Sequence, residues 1–319
     1  MDKLDSVNSI PIKEGIDVVI PAFNAARYIT EALDSVALQG SLVGRIIVVN
    51  DGSTDDTELR IQEFIHKHPD LDVRLITQKN AGLSAARNTG IRSSTASWIA
   101  LLDADDCWKA GKLSAQAQLI NLSTDSKIAV VYSDYEVMSA SGSSIQKPNN
   151  ILHPYLRGHI YLPLLRGNFV SGSGSSVLIK RKALDCVGLF DESLPACEDW
   201  DLWLRIAKSF HFDFVAAPLV RIRLHPENMQ KNRLRMIDAE LRVLNKFAED
   251  NGSNLFLYWK IRTYLQAQHI DVSELPSYRD CSPSLQKCFN GWRLWLGQLI
   301  LIPVLQFGRI YLKIVSPRN

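Results

Sequence analysis

The first half of the chain alternates between two hydrophobic patterns. Short runs that are almost wholly apolar are separated by longer stretches in which apolar residues recur every three or four positions. The first pattern is typical of strands buried on both faces, and the second is typical of amphipathic helices. We predict buried strands at Ile16 to Ile20, Ile46 to Val49, Val73 to Ile76, Trp98 to Leu102 and Ile128 to Tyr132.

Helices are predicted between these strands. In the first helix, Ile29, Leu33 and Val36 recur at helical spacing, and Asn24 is a candidate N-cap. The second helix begins near Asp55. Its predicted apolar stripe consists of Leu59, Ile61, Phe64 and Ile65. This alternation predicts an α/β fold with a Rossmann-like, mostly parallel sheet and helices on both faces.

The pattern weakens after Ser133. Turn-forming residues at 139–144 and 147–150 predict a loop, and Gly172-Ser173-Gly174 lacks the third glycine of a dinucleotide-binding loop. Further elements are predicted as a strand at Ser176 to Lys180, a helix at Asp199 to Ala207, an extended segment at Val215 to Leu224 and a helix at Met229 to Ala248.

Polar segments follow three of the predicted strands. Pro21 to Asn24, Asn50 to Ser53 and Asp103 to Asp106 each stand where an apolar run stops. Ligands of open α/β sheets bind beyond the carboxyl ends of the strands. The pattern alone therefore places three polar clusters on one edge of the predicted sheet.

The densest of these clusters contains three carboxylates, Asp103, Asp105 and Asp106. Asp103 and Asp105 are two positions apart, so their side chains leave the same side of an extended segment. Crowded acids repel one another, and Mg²⁺ or Mn²⁺ readily takes carboxylate oxygens. For an isolated D-x-D pattern, a solvated acidic loop that caps the next helix is the more frequent explanation.

The composition and the cysteine content of the chain indicate the cellular compartment in which we expect the protein. The 319 residues are 46% hydrophobic and 22% charged, which is ordinary for a globular protein. The five cysteines are odd in number and form no C-x-x-C pair, which favours free thiols in a reducing cytosol. Residues 1–14 lack the apolar core of a secretory signal. We therefore expect a cytoplasmic protein, and we predict no nucleic-acid partner.

The C-terminal part differs from the rest in charge. Residues 251–319 carry eight Lys and Arg against three Asp and Glu, a net charge of +5, which leaves −3 for the remainder of a chain whose total is +2. The apolar stretch within 292–307 is shorter than the ~20 residues of a membrane-spanning helix. Residues 283–315 then either contact the inner face of a membrane peripherally or pack on the catalytic domain or on a second copy of the chain, and a true membrane-spanning segment is the third alternative.

Five segments together carry information that none carries alone. They are Asp17 to Asn24, Val48 to Thr57, Asn80 to Asn88, Leu101 to Asp106 and Cys197 to Trp203. In this order and spacing they resemble the family 2 inverting glycosyltransferases of the GT-A fold, over roughly residues 16 to 228.

The resemblance implies two cofactors, a divalent cation (Mn²⁺ or Mg²⁺) and a nucleotide-sugar donor, with UDP as the expected nucleotide. Asp105 is then the direct metal ligand, and Asp103 reaches the metal through water or holds the ribose of the donor. His225 is an expected further metal ligand or phosphate contact, although a lone histidine is more often structural.

Nucleotide contacts are implied as well. Asp51 would accept a hydrogen bond from the uracil N3–H, or else begin an Asx-turn before the next helix. Arg87 would contact the nucleotide, or else form a surface ion pair. The remaining implied nucleotide-binding residues are Pro21, Ala22, Asn24, Gly82 and Asp103.

The catalytic residues implied by the resemblance are Asp199 and Glu198. Asp199 would be the general base that takes the proton from the acceptor hydroxyl, and Glu198 would help to hold the acceptor. Acids at the start of a predicted helix also have a simpler explanation, because they stabilise the helix N-terminus. Trp200 and Trp203 are candidates for stacking on a sugar, with core packing favoured for Trp203.

These expectations combine into a domain plan and a function. We expect an N-terminal tail at 1–15, a GT-A catalytic domain at 16–228 with a nucleotide-binding half at 16–106 and an acceptor half at 107–228, and a C-terminal helical extension at 229–319. The predicted activity is transfer of one hexosyl or N-acetylhexosaminyl group to a glycan or lipid-linked acceptor in surface polysaccharide synthesis. The alternatives are a catalytically silent GT-A binding or scaffold subunit and a nucleotidyltransferase, whose glycine- and basic-rich loop would stand at Pro21 to Asn24.

Overall fold

The computed structural model of the chain describes residues 15–145, 154–172, 174–225, 232–247 and 277. The chain divides into two compact units, residues 1–231 and residues 232–319. The first unit contains all of the segments for which we predict a chemical role.

The first unit is built on one mixed sheet, to which the described residues contribute nine strands. The strands are β1 Ile16–Ala22, β2 Val43–Asn50, β3 Val73–Thr77, β4 Trp98–Leu101, β5 Cys107–Trp108, β6 Ile128–Ser139, β7 Ser144–Ile145, β8 Leu178–Lys180 and β9 His211–Leu224. The helices are α1 Ile29–Ala37, α2 Thr57–Lys67, α3 Leu83–Ser93, α4 Lys112–Leu122, α5 Tyr161–Leu164, α6 Arg181–Val187 and α7 Glu198–Ala207.

The two halves of the sheet differ in strand direction. The strand order is β3-β2-β1-β4-β8-β6-β9-β5, and β7 pairs with β6 outside this path. In the first half, β1 is parallel to β2 and β4, and β2 is parallel to β3. In the second half, β8 is antiparallel to β4 and β6, whereas β6 and β9 are parallel. The predicted parallel, alternating arrangement therefore holds for the first half, and β8 joins it to a mixed second half.

Burial follows the predicted pattern except on β3 and α2. The strand predicted at Val73 to Ile76 forms as β3, but the prediction that it is buried was wrong, because β3 is at the edge of the sheet and its residues are partly or fully exposed. Every residue of β1 is buried, as expected of a central strand covered on both faces. On α2, Ile61 and Phe64 are buried, but Leu59 is 50% exposed. The prediction for Leu59 was wrong because Ile61 and Phe64 share a face with Thr57, at intervals of four and three, and Leu59 lies on another face.

Two further predictions are corrected by long-range contacts. Asn24 does not cap α1, which has Tyr28 at its N-cap position. Asn24 is instead left-handed (φ 48°), and its Oδ1 accepts a hydrogen bond from the Thr54 N–H at 2.8 Å. The strand predicted to end at Tyr132 continues to Ser139, because β9 pairs with β6 over its whole length.

The second unit contributes one described helix, α8, Arg233–Lys246. Asn232 caps this helix, since its Oδ1 accepts from the Arg235 N–H at 3.1 Å. Four apolar residues that recur at helical spacing in this segment are buried: Ile237, Leu241, Leu244 and Phe247. Residues 229–231, residue 248 and the whole apolar tail at 283–315 lie outside the described residues. Among the residues that are described, no helix is long and apolar enough to cross a membrane.

Candidate active site

The segments that follow β1 and β2 meet at one edge of the sheet, as the pattern predicts. The Asp51 N–H donates to the Ala22 carbonyl at 2.8 Å. The Asp51 carboxylate accepts three hydrogen bonds, from Gln78 Nε2 at 2.7 Å, from the Ala81 N–H at 2.9 Å and from the Gly82 N–H at 2.8 Å. Asp51 therefore ties the loop before α3 to the end of β2, and its contact with a nucleotide base stays a prediction.

Three further predicted nucleotide contacts lie at the end of β1 or just after it. Pro21 and Ala22 are its last two residues, and both are buried. Asn24 is exposed, and its backbone N–H donates to Ser53 Oγ at 3.0 Å. The loops after β1 and β2 are thus hydrogen-bonded to each other on the expected ligand side of the sheet.

Arg87 of α3 is buried, with only 1% of its surface exposed. Its Nη1 donates to Glu198 Oε1 and its Nη2 to Asp103 Oδ1, both at 2.7 Å. The guanidinium also lies over the ring of Phe190, 5.2 Å from its centroid, and a Cβ on Gly174 would come within 2.9 Å of Nη2. The alternative prediction, that Arg87 forms a surface ion pair, is therefore wrong, because this buried side chain bridges two acids.

The three acids after β4 have different environments. Asp103 and Asp105 are partly exposed, whereas Asp106 is buried. Ser175 Oγ donates to Asp106 Oδ2 at 2.6 Å and accepts from the Asp103 N–H at 3.1 Å. The Arg223 N–H donates to Asp106 Oδ1 at 2.9 Å. Asp106 is therefore a structural anchor of the turn, and Asp103 and Asp105 are the acids that remain open to a ligand.

Asp105 pairs with the histidine singled out from the sequence. His225 Nε2 lies 2.8 Å from Asp105 Oδ2, and both side chains are partly exposed. Burial and the neighbouring charge of Asp103 raise the pKa of Asp105. Burial, with the charges of Asp105 and Asp103, raises the pKa of Asp106 well above its usual range. The cluster is thus a place where carboxylates are crowded.

The described residues hold no group of three or more His, Cys, Asp or Glu side chains arranged around one metal position. This donor set still fits Mg²⁺ or Mn²⁺, which keep several waters and are usually held by one or two carboxylates together with substrate phosphates. Asp105 Oδ2 and His225 Nε2 are in direct contact at 2.8 Å, and Asp103 belongs to the same turn as Asp105. These three residues are the ones that would hold the ion.

Glu198 and Asp199 begin α7, directly after Cys197, which is left-handed (φ 58°). Asp199 Oδ1 accepts from the Trp200 N–H at 2.7 Å, and Oδ2 accepts from Asn168 Nδ2 at 3.1 Å. Burial, aided by the charge of Glu198 and opposed by Arg87, raises the pKa of Asp199 to about 6. A carboxylate with this pKa is mostly ionised at neutral pH and is a competent proton acceptor.

Several residues of the site carry no signal in the sequence. Ser175 and Arg223 support the acid turn, and Asn168 contacts Asp199, but none belongs to a pattern that we could interpret. Conversely, Trp200 was predicted to be a candidate for stacking on a sugar, and this prediction was wrong. It is 2% exposed and its Nε1 donates to the Leu164 carbonyl at 2.8 Å, so it packs α7 onto α5 and does not face a sugar.

Comparison with known proteins agrees with this geometry. A model of glycosyl transferase family 2 matches residues 17–188, more than half of the chain. An uncharacterised glycosyltransferase of Rickettsia felis is 33% identical over 218 residues, covering 68% of this chain and 35% of that protein. The Escherichia coli enzyme WfgD, a UDP-Glc:α-D-GlcNAc-diphosphoundecaprenol β-1,3-glucosyltransferase, is 26% identical over 246 residues, covering 76% of this chain and 89% of that enzyme.

Among solved structures, residues 1–349 of Staphylococcus aureus TarS in complex with UDP-GlcNAc have a TM-score of 0.62 at 17% identity, covering 88% of this chain and 82% of that one. The mannosyltransferase PcManGT of Pyrobaculum calidifontis, in complex with GDP-Man and Mn²⁺, has a TM-score of 0.57 at 20% identity, covering 75% and 65%. The chain belongs to glycosyl transferase family 2. It has the GT-A fold. The part of the chain that matches the R. felis relative covers 35% of the length of that relative.

Proposed function

We propose that this glycosyltransferase moves a single sugar from a nucleotide-diphosphate donor to a glycan or lipid-linked acceptor, with inversion at the anomeric carbon and with a divalent cation. The observation that carries the proposal is the Arg87 bridge. It joins Asp103 of the candidate metal turn to Glu198, the neighbour of the candidate base Asp199. Donor and acceptor chemistry would therefore be held in one ion-paired network.

Each residue has a stated task in this proposal. Asp105 and His225 would hold the cation with help from Asp103, and a bound cation would neutralise charge on the leaving diphosphate. Asp199 would accept the proton of the attacking acceptor hydroxyl. Inversion requires one such base and no covalent intermediate, so a single carboxylate at the acceptor side is sufficient. Glu198 would be held by Arg87 beside the acceptor.

UDP is the proposed nucleotide, and surface polysaccharide synthesis is the proposed setting. The resemblance implies a uracil contact for Asp51, and this proposal is supported by the hydrogen bonds that hold Asp51 at the end of β2. The E. coli relative is described as a UDP-glucose enzyme that acts on a diphosphoundecaprenol-linked sugar, and TarS was solved with UDP-GlcNAc. These names support a hexosyl or N-acetylhexosaminyl donor and a lipid-linked acceptor for this chain.

A donor screen tests the proposal. The full chain is incubated with Mn²⁺ and each of several UDP- and GDP-sugars, and nucleotide release is measured. We expect one donor to be turned over, EDTA to abolish the turnover and Mn²⁺ or Mg²⁺ to restore it. Undiminished turnover in EDTA would refute the metal assignment, and absence of release with every donor would favour a catalytically silent subunit.

Single substitutions separate the two sites. Asp105→Asn is expected to weaken binding of the donor. Asp199→Asn is expected to keep donor binding and to lose ~10²- to 10⁴-fold in rate, the usual contribution of a general base. Asp70→Asn is the matched control, because Asp70 is an exposed acid in the turn before β3. A loss below tenfold in Asp199→Asn would assign the base elsewhere.

We also propose that residues 283–315 bring the active site to a membrane surface. The support is from sequence alone: a net charge of +5 over 251–319 and the tryptophans Trp292 and Trp295 beside a short apolar stretch. Each basic residue near an anionic surface contributes ~1 kcal/mol. The full chain is expected to sediment with anionic vesicles and to be released by high salt. Failure to sediment would leave core packing or self-association as the role of the tail.

A further inference from the structure

Asp199 has a hydrogen-bond partner that is distant in sequence. Asn168 lies in the loop after α5, 31 positions before Asp199 at the start of α7. Its Nδ2 donates to Asp199 Oδ2 at 3.1 Å. Asn168 is exposed and Asp199 is partly exposed, so this contact lies at the protein surface.

The orientation of the Asn168 amide is determined by a second contact. Its Oδ1 accepts a hydrogen bond from the Val170 N–H at 3.3 Å. A flipped amide would turn its NH₂ group toward this N–H and its oxygen toward the carboxylate, and both contacts would become repulsive. The amide is therefore oriented with its NH₂ group toward the carboxylate of Asp199.

The spacing between the two side chains is set by buried packing. Trp200, next to Asp199, donates from Nε1 to the carbonyl of Leu164, four residues before Asn168, at 2.8 Å. Trp200 and Leu164 are both buried. The loop that carries Asn168 is thus anchored to the helix that carries Asp199. The buried contact between Trp200 and Leu164 stabilises the position of the exposed hydrogen bond.

The two hydrogen bonds of Asp199 act on different oxygens. The Trp200 N–H holds Oδ1, and Asn168 holds Oδ2. Each carboxylate oxygen has a second acceptor position that stays available for a proton. We propose that Asn168 is the positioning residue of Asp199, which fixes the plane of its carboxylate toward the hydroxyl of the acceptor. This inference rests on the proposed role of Asp199 as the general base.

The charges around Asp199 predict how the pH dependence responds. Glu198 on α7 raises the pKa of Asp199, Arg87 on α3 lowers it, and the hydrogen bond from Asn168 also lowers it, against a larger raising effect of burial. Loss of the Asn168 donor therefore raises this pKa further. Because the base must be ionised, the acid limb of the rate profile moves to higher pH.

The test compares three variants of the full chain with the donor that is turned over best in the screen described above. Asn168→Ala is expected to lower kcat by ~10- to 10²-fold, the cost of a small misplacement of a reacting group. It is also expected to move the acid limb of the profile upward. Asn168→Asp adds a like charge and is expected to move the limb further, and Asn168→Gln, which keeps an amide, restores part of the rate. Binding of UDP with Mn²⁺ stays unchanged in all three.

The matched control is Gln62→Ala, which removes an exposed amide that donates to the Glu58 carboxylate at 3.3 Å on α2. It is expected to leave rate and profile unchanged. If Asn168→Ala lowers the rate equally at every pH, or if Asn168→Asp behaves like Asn168→Ala, the positioning role is overturned and Asn168 is structural. If Asp199→Asn retains full activity, the proposed function fails instead. An inactive Asp199→Asn with an unshifted Asn168→Ala profile overturns this inference alone.

Discussion

Two buried arginines hold the acid turn of this member of glycosyl transferase family 2, and they hold it in different ways. Arg87 and Arg223 are each 1% exposed. Arg87 donates to the side chains of Asp103 and Glu198. Arg223 donates from Nε to the backbone carbonyl of Asp105 at 2.8 Å, and its Nη2 pairs with Glu31, which is half exposed.

The two arginines contribute different things to the acid turn: Arg87 neutralises charge, and Arg223 holds the backbone. Around Arg87, the cation neutralises two carboxylates of the candidate site, and their charges in turn raise its own pKa against the effect of burial. Around Arg223, the side chain fixes the path of the backbone, and its acidic partner has access to water. The first arginine therefore supports the electrostatics of the site, and the second supports its geometry.

The largest effect is expected for Arg87→Met. It leaves Glu198 buried without its cation, and breaking a buried ion pair from one side costs about 3–5 kcal/mol of unfolding free energy. Urea unfolding measures this loss, and donor turnover is expected to fall with it. Arg60→Met is the control, since its pair with Glu63 is exposed and contributes less than about 1 kcal/mol. Equal losses in the two variants would contradict the comparison.

A smaller effect is expected for Arg223→Met. The variant loses the hydrogen bond to the Asp105 carbonyl, which costs about 1–3 kcal/mol, and Glu31 turns to solvent. The Arg223 N–H still holds Asp106, so the turn loosens but persists. A Mn²⁺ titration of donor turnover is expected to show a higher half-saturating concentration with kcat largely retained. Loss of kcat at saturating Mn²⁺ would show that Arg223 acts on the chemistry itself.

Gly174→Ala tests the packing around Arg87. The added Cβ would lie 2.9 Å from Nη2 of Arg87, and overpacking of this kind costs about 1–3 kcal/mol. Since the clash is with one side chain, the double variant Arg87→Met with Gly174→Ala is expected to be more stable than the sum of the two losses predicts. Strict additivity in urea unfolding would mean that Gly174 is required for another reason.

Lys112 is a third buried basic residue, and it differs from the two arginines because it has no acidic partner among the described residues. Its Nζ donates to Gln116 Oε1 at 3.0 Å and lies 4.1 Å from the centre of the Trp108 ring. Burial lowers its pKa well below the usual value of 10.5. The unfolded chain therefore binds the proton more strongly than the folded protein does, and stability rises with pH between the two pKa values.

The measurable consequence is a difference between the wild type and Lys112→Met. As the pH rises toward the usual lysine pKa of 10.5, the unfolding free energy of the wild type is expected to rise relative to that of the variant, by up to about 1.4 kcal/mol per pH unit. The loss of the Gln116 contact shifts the whole curve but not its slope. A parallel pH dependence in the two proteins would show that Lys112 is hydrated or paired in solution.

The sequence by itself determined the elements of the first half and the position of the acid turn. Apolar runs such as Ile16 to Ile20 are local signals, and strand ends in a parallel sheet share an edge whatever the rest of the chain does. The same argument predicted the position of Asp103 and Asp105. For Glu198 and Asp199 the pattern predicted only that they stand at the start of a helix, and the resemblance implied their roles.

Only the tertiary structure decided which of these groups touch. The bridge from Arg87 to Glu198 spans 111 positions, and the contact of Arg223 with Asp105 spans 118. Such contacts depend on strand order and on the mixed directions around β8, which no local periodicity encodes. The same limit explains the length of β6 and the contact of Asn168 with Asp199, because each depends on a segment that is distant in the sequence.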